Sequence, residues 1–216
     1  MRTSTRIWRV LSAALFAGFL SVGTVVAPAQ ADITPTPTAT ASTSSLKSLN
    51  IKPEAQAQNL WCWAGASTAV ANYFGANVSQ NEFCNLAKGN PHRYAPCANT
   101  TGDLNDIRRG WYNVGVYGST TRYGTLTFSE IKREIDAGRP VQVRIQWNSN
   151  GMGHFLVIEG YNAATQEIQW IDPWPTSQRV NVAKYSSFLN DSRYKWTHSI
   201  TNIGVYGTPK DVYSIY

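Results

Sequence analysis

Histidine and cysteine are scarce in this 216-residue chain, three of each, and neither occurs at the spacing of a metal site. There is no His-x-x-x-His and no Cys-x-x-Cys, so zinc is not implied and no cofactor is expected. Also missing are a phosphate-binding glycine loop, a repeat at solenoid spacing, and a basic cluster interleaved with aromatics. Those absences argue against a nucleic-acid partner. Charge of one sign is in short supply as well. The formal net charge is +6, but three of the nineteen basic residues, Arg2, Arg6 and Arg9, stand in an N-terminal leader that has no acid. Beyond the leader, sixteen basic residues face thirteen acidic ones, a weak argument for any polyanionic partner.

No apolar run reaches membrane length. The apolar stretch 10–20 is short, is broken by Gly18 and followed by Gly23, and follows the basic residues of the leader. With Ala29-Gln30-Ala31 as an A-x-A site, residues 1–31 read as a cleaved secretory signal, not an anchor. No adjacent Arg-Arg pair precedes the apolar stretch, which favours the general secretion route over the twin-arginine route. The mature protein is therefore expected outside the cell, with no membrane partner after cleavage. Residues 32–48, rich in Thr, Pro, Ser and Ala, lack the apolar content for a core and read as a linker. Residues 49–216 suit one domain, expected to be a monomer.

What the chain does have is a cysteine between two tryptophans, Trp61-Cys62-Trp63, opening an alanine-rich run without proline that stops at Gly75. This predicts a helix starting near Cys62. Unpaired N–H groups and the positive end of the dipole at a helix start favour thiolate, the reactive form of cysteine. The other readings of Cys62 are a half-disulfide and an inert buried thiol. Against the first, Cys84 and Cys97, thirteen positions apart on either side of the polar loop Lys88 to Pro96, can pair, leaving Cys62 over.

Further helices are expected after the capping boxes Ser79-to-Glu82 and Thr127-to-Glu130, and from Asp103 to about Tyr112. From Val141 the period changes to two, and residues 141–147, 154–161 and 166–172 read as strands. Helices first and antiparallel strands after give an α+β domain. A hairpin centred on Ala163 would place His154 and Asp172, each nine residues from the centre, opposite each other, sharing a face with Leu156, Ile158, Ile168 and Trp170. The other face, with Phe155, Val157, Glu159, Glu167, Gln169 and Ile171, is the more polar. His92 falls in the Cys84–Cys97 loop facing solvent, and His198, in the alternating run 194–200, packs against the sheet.

Acyl transfer by a thiol needs an imidazole to manage the proton and a third group to fix the ring. His154 and Asp172 fit these roles for Cys62, against the plainer readings of a strand-end histidine and an Asp-Pro turn. Gln56 six positions before Cys62, the flanking tryptophans, the run 153–161 around His154, and Trp170-Ile171-Asp172-Pro173-Trp174 together resemble the papain-like cysteine peptidases. The branch they resemble is that of secreted bacterial effector-type and bacteriocin-processing-type enzymes with a Cys-His-Asp triad, over about residues 50–175. The resemblance implies a papain-like fold, a protein or peptide substrate, and an oxyanion hole made by the Gln56 side chain and the Cys62 backbone N–H. Gln58, four before Cys62, is also available for that role. Asp172 replaces the asparagine of papain's own branch, and the Cys-Gly-Ser-Cys context is absent, so papain's disulfides and preferences do not carry over.

The expected activity is a secreted thiol peptidase cleaving peptide or isopeptide bonds. A transglutaminase shares the acyl-enzyme step and differs in its acceptor. An amidase of the NlpC type commonly has histidine as its third residue, and no histidine closely follows His154. A non-enzymatic secreted module, stacking sugars or peptides on its tryptophans, is the remaining class.

Overall fold

The computed structural model describes residues 45–204. The expected signal segment 1–31 and most of the expected linker lie outside the described residues. Five helices and seven strands follow the chain order β1(Leu46–Ser48), α1(Cys62–Tyr73), α2(Gln80–Lys88), α3(Leu104–Asn113), β2(Thr120–Tyr123), α4(Phe128–Asp136), β3(Val141–Trp147), β4(Gly153–Asn162), β5(Glu167–Ile171), β6(Val180–Lys184), α5(Tyr185–Leu189) and β7(Tyr194–Thr201). All strand pairs are antiparallel, in the order β2-β7-β3-β4-β5-β6. The α+β class expected from the sequence is the one observed.

The helix starts follow local chemistry. Ser79, Asp103 and Thr127 each accept a hydrogen bond from the backbone three residues on, and Glu82, Asp106 and Glu130 return one, closing three capping boxes. α1 differs, since Trp61 at its N-cap offers no side-chain bond. Its stability comes from burial instead: every residue from Trp63 to Ala71 is buried, because the helix packs on β4 on one side and on α2 and α3 on the other. Cys84 and Cys97 form a disulfide, and Cys62 is free. Asn81 and Asn85 hold the enclosed loop through the carbonyls of Ala95 and Arg93 and the N–H of Cys97.

The sheet is covered on both faces. On one, Phe155, Val157, Ile171 and Ile200 join Trp63 and Val70 of α1 in one core. On the other, Val143, Leu156, Ile158 and Ile168 meet Ile131 and Ile135 of α4 and Phe188 of α5. The face expected to be the more polar is thus the one beneath α1. Full burial of side chains such as Val157 and Ile171 contributes about 1.5–3 kcal/mol each, so both layers are substantial.

Two expectations need correcting. The helical half is not free of strands: β2 lies at the sheet edge beside β7, and the last residues of the expected linker form β1. β1 pairs Leu46, Lys47 and Ser48 with Asn162, Tyr161 and Gly160, and so takes up the side of β4 that β3 leaves open past Ile158. Unpaired backbone groups there would otherwise be left at a buried sheet position. The β4–β5 register also differs. Tyr161 meets Ile168 and Val157 meets Ile171, three and two positions beyond the expected Thr165 and Gln169. The loop is longer than expected, with Gln166 at φ 53°, and an extra residue bulges between Ile158 and Gly160. The offset left past the bulge is even, which preserves the face. Asp172 follows the last paired residue of β5, and continued pairing would set it against Leu156, diagonal to His154 instead of opposite it.

Candidate active site

Cys62 is the first residue of α1 and is partly exposed. Both neighbouring tryptophans point inward and fix the helix start to one loop. Trp61 Nε1 donates to the carbonyl of Ala98 at 3.1 Å, and Trp63 Nε1 to that of Thr100 at 3.0 Å. The aromatic flanks of the cysteine therefore set its position. In the first turn of a helix the backbone N–H of Cys62 has no intrahelical acceptor and is available to an incoming oxygen.

His154 lies at the start of β4, its ring stacked on Trp147 at 5.9 Å and met edge-on by Trp174 at 6.2 Å. These two indoles leave its side chain 5% exposed. Its Nε2 is 2.8 Å from Asp172 Oδ1, so the diagonal placement still brings the two groups together. Nδ1 is then the ring nitrogen left for Cys62, whose sulfur interacts with the ring by hydrogen bonding and charge. Burial disfavours the charged ring, but hydrogen bonds to Asp172 and Cys62 and their charges outweigh it and push its pKa up to about 9. Asp172 moves the other way: burial raises it, and the bonds and charge of His154, with bonds from Trp174 and Ser177, hold it below the usual range. A charged ring held against an ionised carboxylate is the arrangement the two shifts describe.

The turn after Asp172 is built to hold that carboxylate. Asp172 Oδ1 accepts from the N–H of Trp174 at 2.8 Å. The Arg179 guanidinium donates to the carbonyls of Asp172, Trp174, Pro175 and Ser177, winding the segment around one side chain. Gln56 is seated beneath this turn, its N–H bonded to the carbonyl of Pro173 at 2.7 Å. Gly65 makes room for both: a Cβ there would stand 3.2 Å from Gln56 Cα and 3.3 Å from Pro173 Cβ. Three separated segments thus meet at the first turn of α1.

Gln56 is 5% exposed, and its amide donates to the carbonyls of Gln58 at 2.8 Å and Asn59 at 2.9 Å. Both N–H groups are committed to its own loop, and its Oε1 is buried without a partner among the described residues. In this state Gln56 does not present a donor to the Cys62 side, and Gln58 enters the site through its carbonyl alone. His92 is exposed. His198 is not packed against the sheet but is part of it, in β7. Trp147 and Arg179 carry no sequence signal that would single them out; the arginine acts on backbone carbonyls, which leave no motif.

Cavities open on both sides of Cys62. One, of about 440 Å³, is bounded by Asn59, Trp147, His154, Asp172 and Trp174. The other, of about 610 Å³, runs past Trp63 toward α3 and β7. A chain laid across Cys62 would enter both.

The family model described as Peptidase_C39 like family matches residues 48–201. No curated protein matches the chain. Among solved structures, a double glycine motif protease from an AMS/PCAT transporter, in complex with the leader peptide, is 15% identical with a TM-score of 0.46, over 72% of this chain and 92% of that one. Xylellain, a cysteine protease from Xylella fastidiosa, is 12% identical with a TM-score of 0.44, over 73% of this chain and 86% of that one. The Pseudomonas avirulence protein AvrPphB is 9% identical with a TM-score of 0.24, over 64% and 74%.

Proposed function

The chain belongs to the Peptidase_C39 like family and is a cysteine peptidase; from that premise we propose that it is a secreted enzyme hydrolysing peptide or isopeptide bonds through an acyl-enzyme on Cys62. The observation that carries this reading is the His154 ring, held by Asp172 at Nε2 and facing Cys62 with its other nitrogen.

In the proposed reaction the Cys62 thiolate attacks the substrate carbonyl carbon, forming a C–S bond and an oxyanion. The Cys62 N–H stabilises that charge. Gln56 supplies a second donor when its amide releases one of the two carbonyls it holds. The His154 imidazolium gives its proton to the leaving nitrogen as the C–N bond breaks. Water then adds to the thioester, His154 takes its proton, and the C–S bond breaks to restore the thiolate. Asp172 keeps the ring oriented and stabilises its charged form throughout. No step calls for a metal or cofactor.

Export is supported by the basic, apolar and A-x-A segments of the leader, and by a disulfide of the kind that persists outside the cytoplasm. The test exposes wild type and Cys62→Ala to unfolded protein, to purified cell wall, and to a glutamine donor with an amine. Thiol-dependent new peptide termini in the first sample support the proposal. Thiol-dependent products only in the second or third would replace it with a wall amidase or a transferase.

A further inference from the structure

The cavity on the Trp63 side of Cys62 contains two arginines that form no ion pair among the described residues. Arg144, partly buried on β3, has one hydrogen-bond acceptor among side chains, Thr197 Oγ1 at 3.2 Å. Arg108, exposed on α3, has one, Ser119 Oγ at 3.1 Å. Neither takes part in any ion pair among the described residues. A guanidinium carries five donors in a fixed fork that fits a carboxylate, so most of this capacity is unspent. Arg179 shows the contrast, since four carbonyls occupy it.

The Arg144 fork also lies against the catalytic strand. A Cβ on Gly153 would come within 2.4 Å of Arg144 Nη2 and 2.5 Å of Cζ, so a larger residue before His154 would push the guanidinium out of this place. The guanidinium thereby flanks the residue next to the proposed base, in a cavity that Cys62 also lines. Of the other titratable groups facing it, Asp103 is exposed and caps α3, accepting from the N–H groups of Asn105 and Asp106 at 2.8 Å. Burial and the Arg144 charge lower the pKa of His198, which favours its neutral ring. Its Nδ1 meets Thr197 Oγ1 at 2.8 Å, which leaves Nε2 as a further polar contact.

We infer that this cavity is a specificity subsite for an acidic side chain of the substrate, with Arg144 as the principal and Arg108 as the outer contact. The inference rests on Cys62 being the nucleophile of a peptidase, because the cavity is continuous with that thiol. An occupant so placed is a residue of the chain being cleaved.

The test measures the rate at which Cys62 is labelled by matched peptide vinyl sulfones bearing Glu, Ala or Lys at each of the three residues before the warhead. Neutral iodoacetamide serves as the control for an intact thiol. At one position the Glu probe is expected to outpace the Lys probe by about tenfold, the scale of one charge-assisted bond. Arg144→Gln should remove most of that ratio, Arg144→Glu should invert it, and Arg108→Gln should reduce it. Equal rates for Glu and Lys in the wild type, or a ratio that survives both Gln substitutions, would overturn the subsite while iodoacetamide labelling leaves the peptidase reading standing. A Cys62 that no reagent labels overturns both.

Discussion

Replacing Asp172 by asparagine keeps the shape of the side chain, and with it an oxygen for the Trp174 N–H and for His154, but removes the charge. The size of the effect comes from the histidine. His154 is raised from 6.5 to about 9 against the effect of its own burial, which corresponds to roughly 3 kcal/mol in favour of the charged ring. Without the carboxylate, burial is opposed by Cys62 alone. The pKa is then expected to fall well below 9, read directly from the ring resonances of His154 in a pH titration. The imidazolium that protonates the leaving nitrogen is then less favoured, in a ring no longer held by a charge. Turnover should drop by on the order of 100-fold or more, mostly in kcat. Stability gives an independent reading, with its sign fixed by the direction of the shift. The advantage of the charged ring is fully present below pH 6.5 and is lost as pH rises through about 9. The variant should therefore melt below the wild type at pH 6, with the gap closing by pH 10. A variant that turns over normally and whose ring still titrates near 9 would show that Asp172 does not govern His154.

Three other outcomes are expected from specific contacts. Non-reducing mass analysis of the chain should find one disulfide, Cys84 to Cys97, and one free thiol at Cys62; removing the bridge should cost about 3 kcal/mol and lower Tm without abolishing Cys62 labelling. Glu134 is 3% exposed, binds the Arg139 guanidinium through both oxygens and accepts from the Asn202 N–H, so Glu134→Ala should destabilise by about 3 kcal/mol in chemical denaturation. Glu159, buried in the β4 bulge, accepts from Gln169 Nε2 at 2.9 Å, and Glu159→Gln keeps an acceptor there; steady-state turnover should stay within about twofold of wild type, and a large loss would tie the bulge to the chemistry.

The three capped helices and the long strands are legible in the sequence because each carries its own signal: a capping box, an apolar period, a glycine stop. β1 and β2 are not. Leu46–Ser48 and Thr120–Tyr123 are short and mostly exposed, and they exist as strands only because β4 and β7 offer them an open side. The site divides in the same way. Cys62, His154 and Asp172 can be singled out because acyl transfer requires those groups, and the structure brings them together. The geometry joining His154 to Asp172 cannot be read from the chain, since it depends on a four-residue loop and a bulge at Glu159 whose effects on register partly cancel. The state of Gln56 is equally hidden, because its amide is claimed by the carbonyls of Gln58 and Asn59, and carbonyls are common to every residue.

The winding of residues 172–177 around Arg179 has a consequence for how this enzyme can be changed. The guanidinium grips main-chain oxygens only, so its hold on the turn does not depend on the side chain at an exposed position such as 176. Thr176, exposed at the rim, can be randomised in a directed-evolution library without moving the carboxylate that steadies His154. The turn thus separates two demands that often collide in a peptidase: one arginine keeps the catalytic geometry constant while the surface beside it stays open to new substrates.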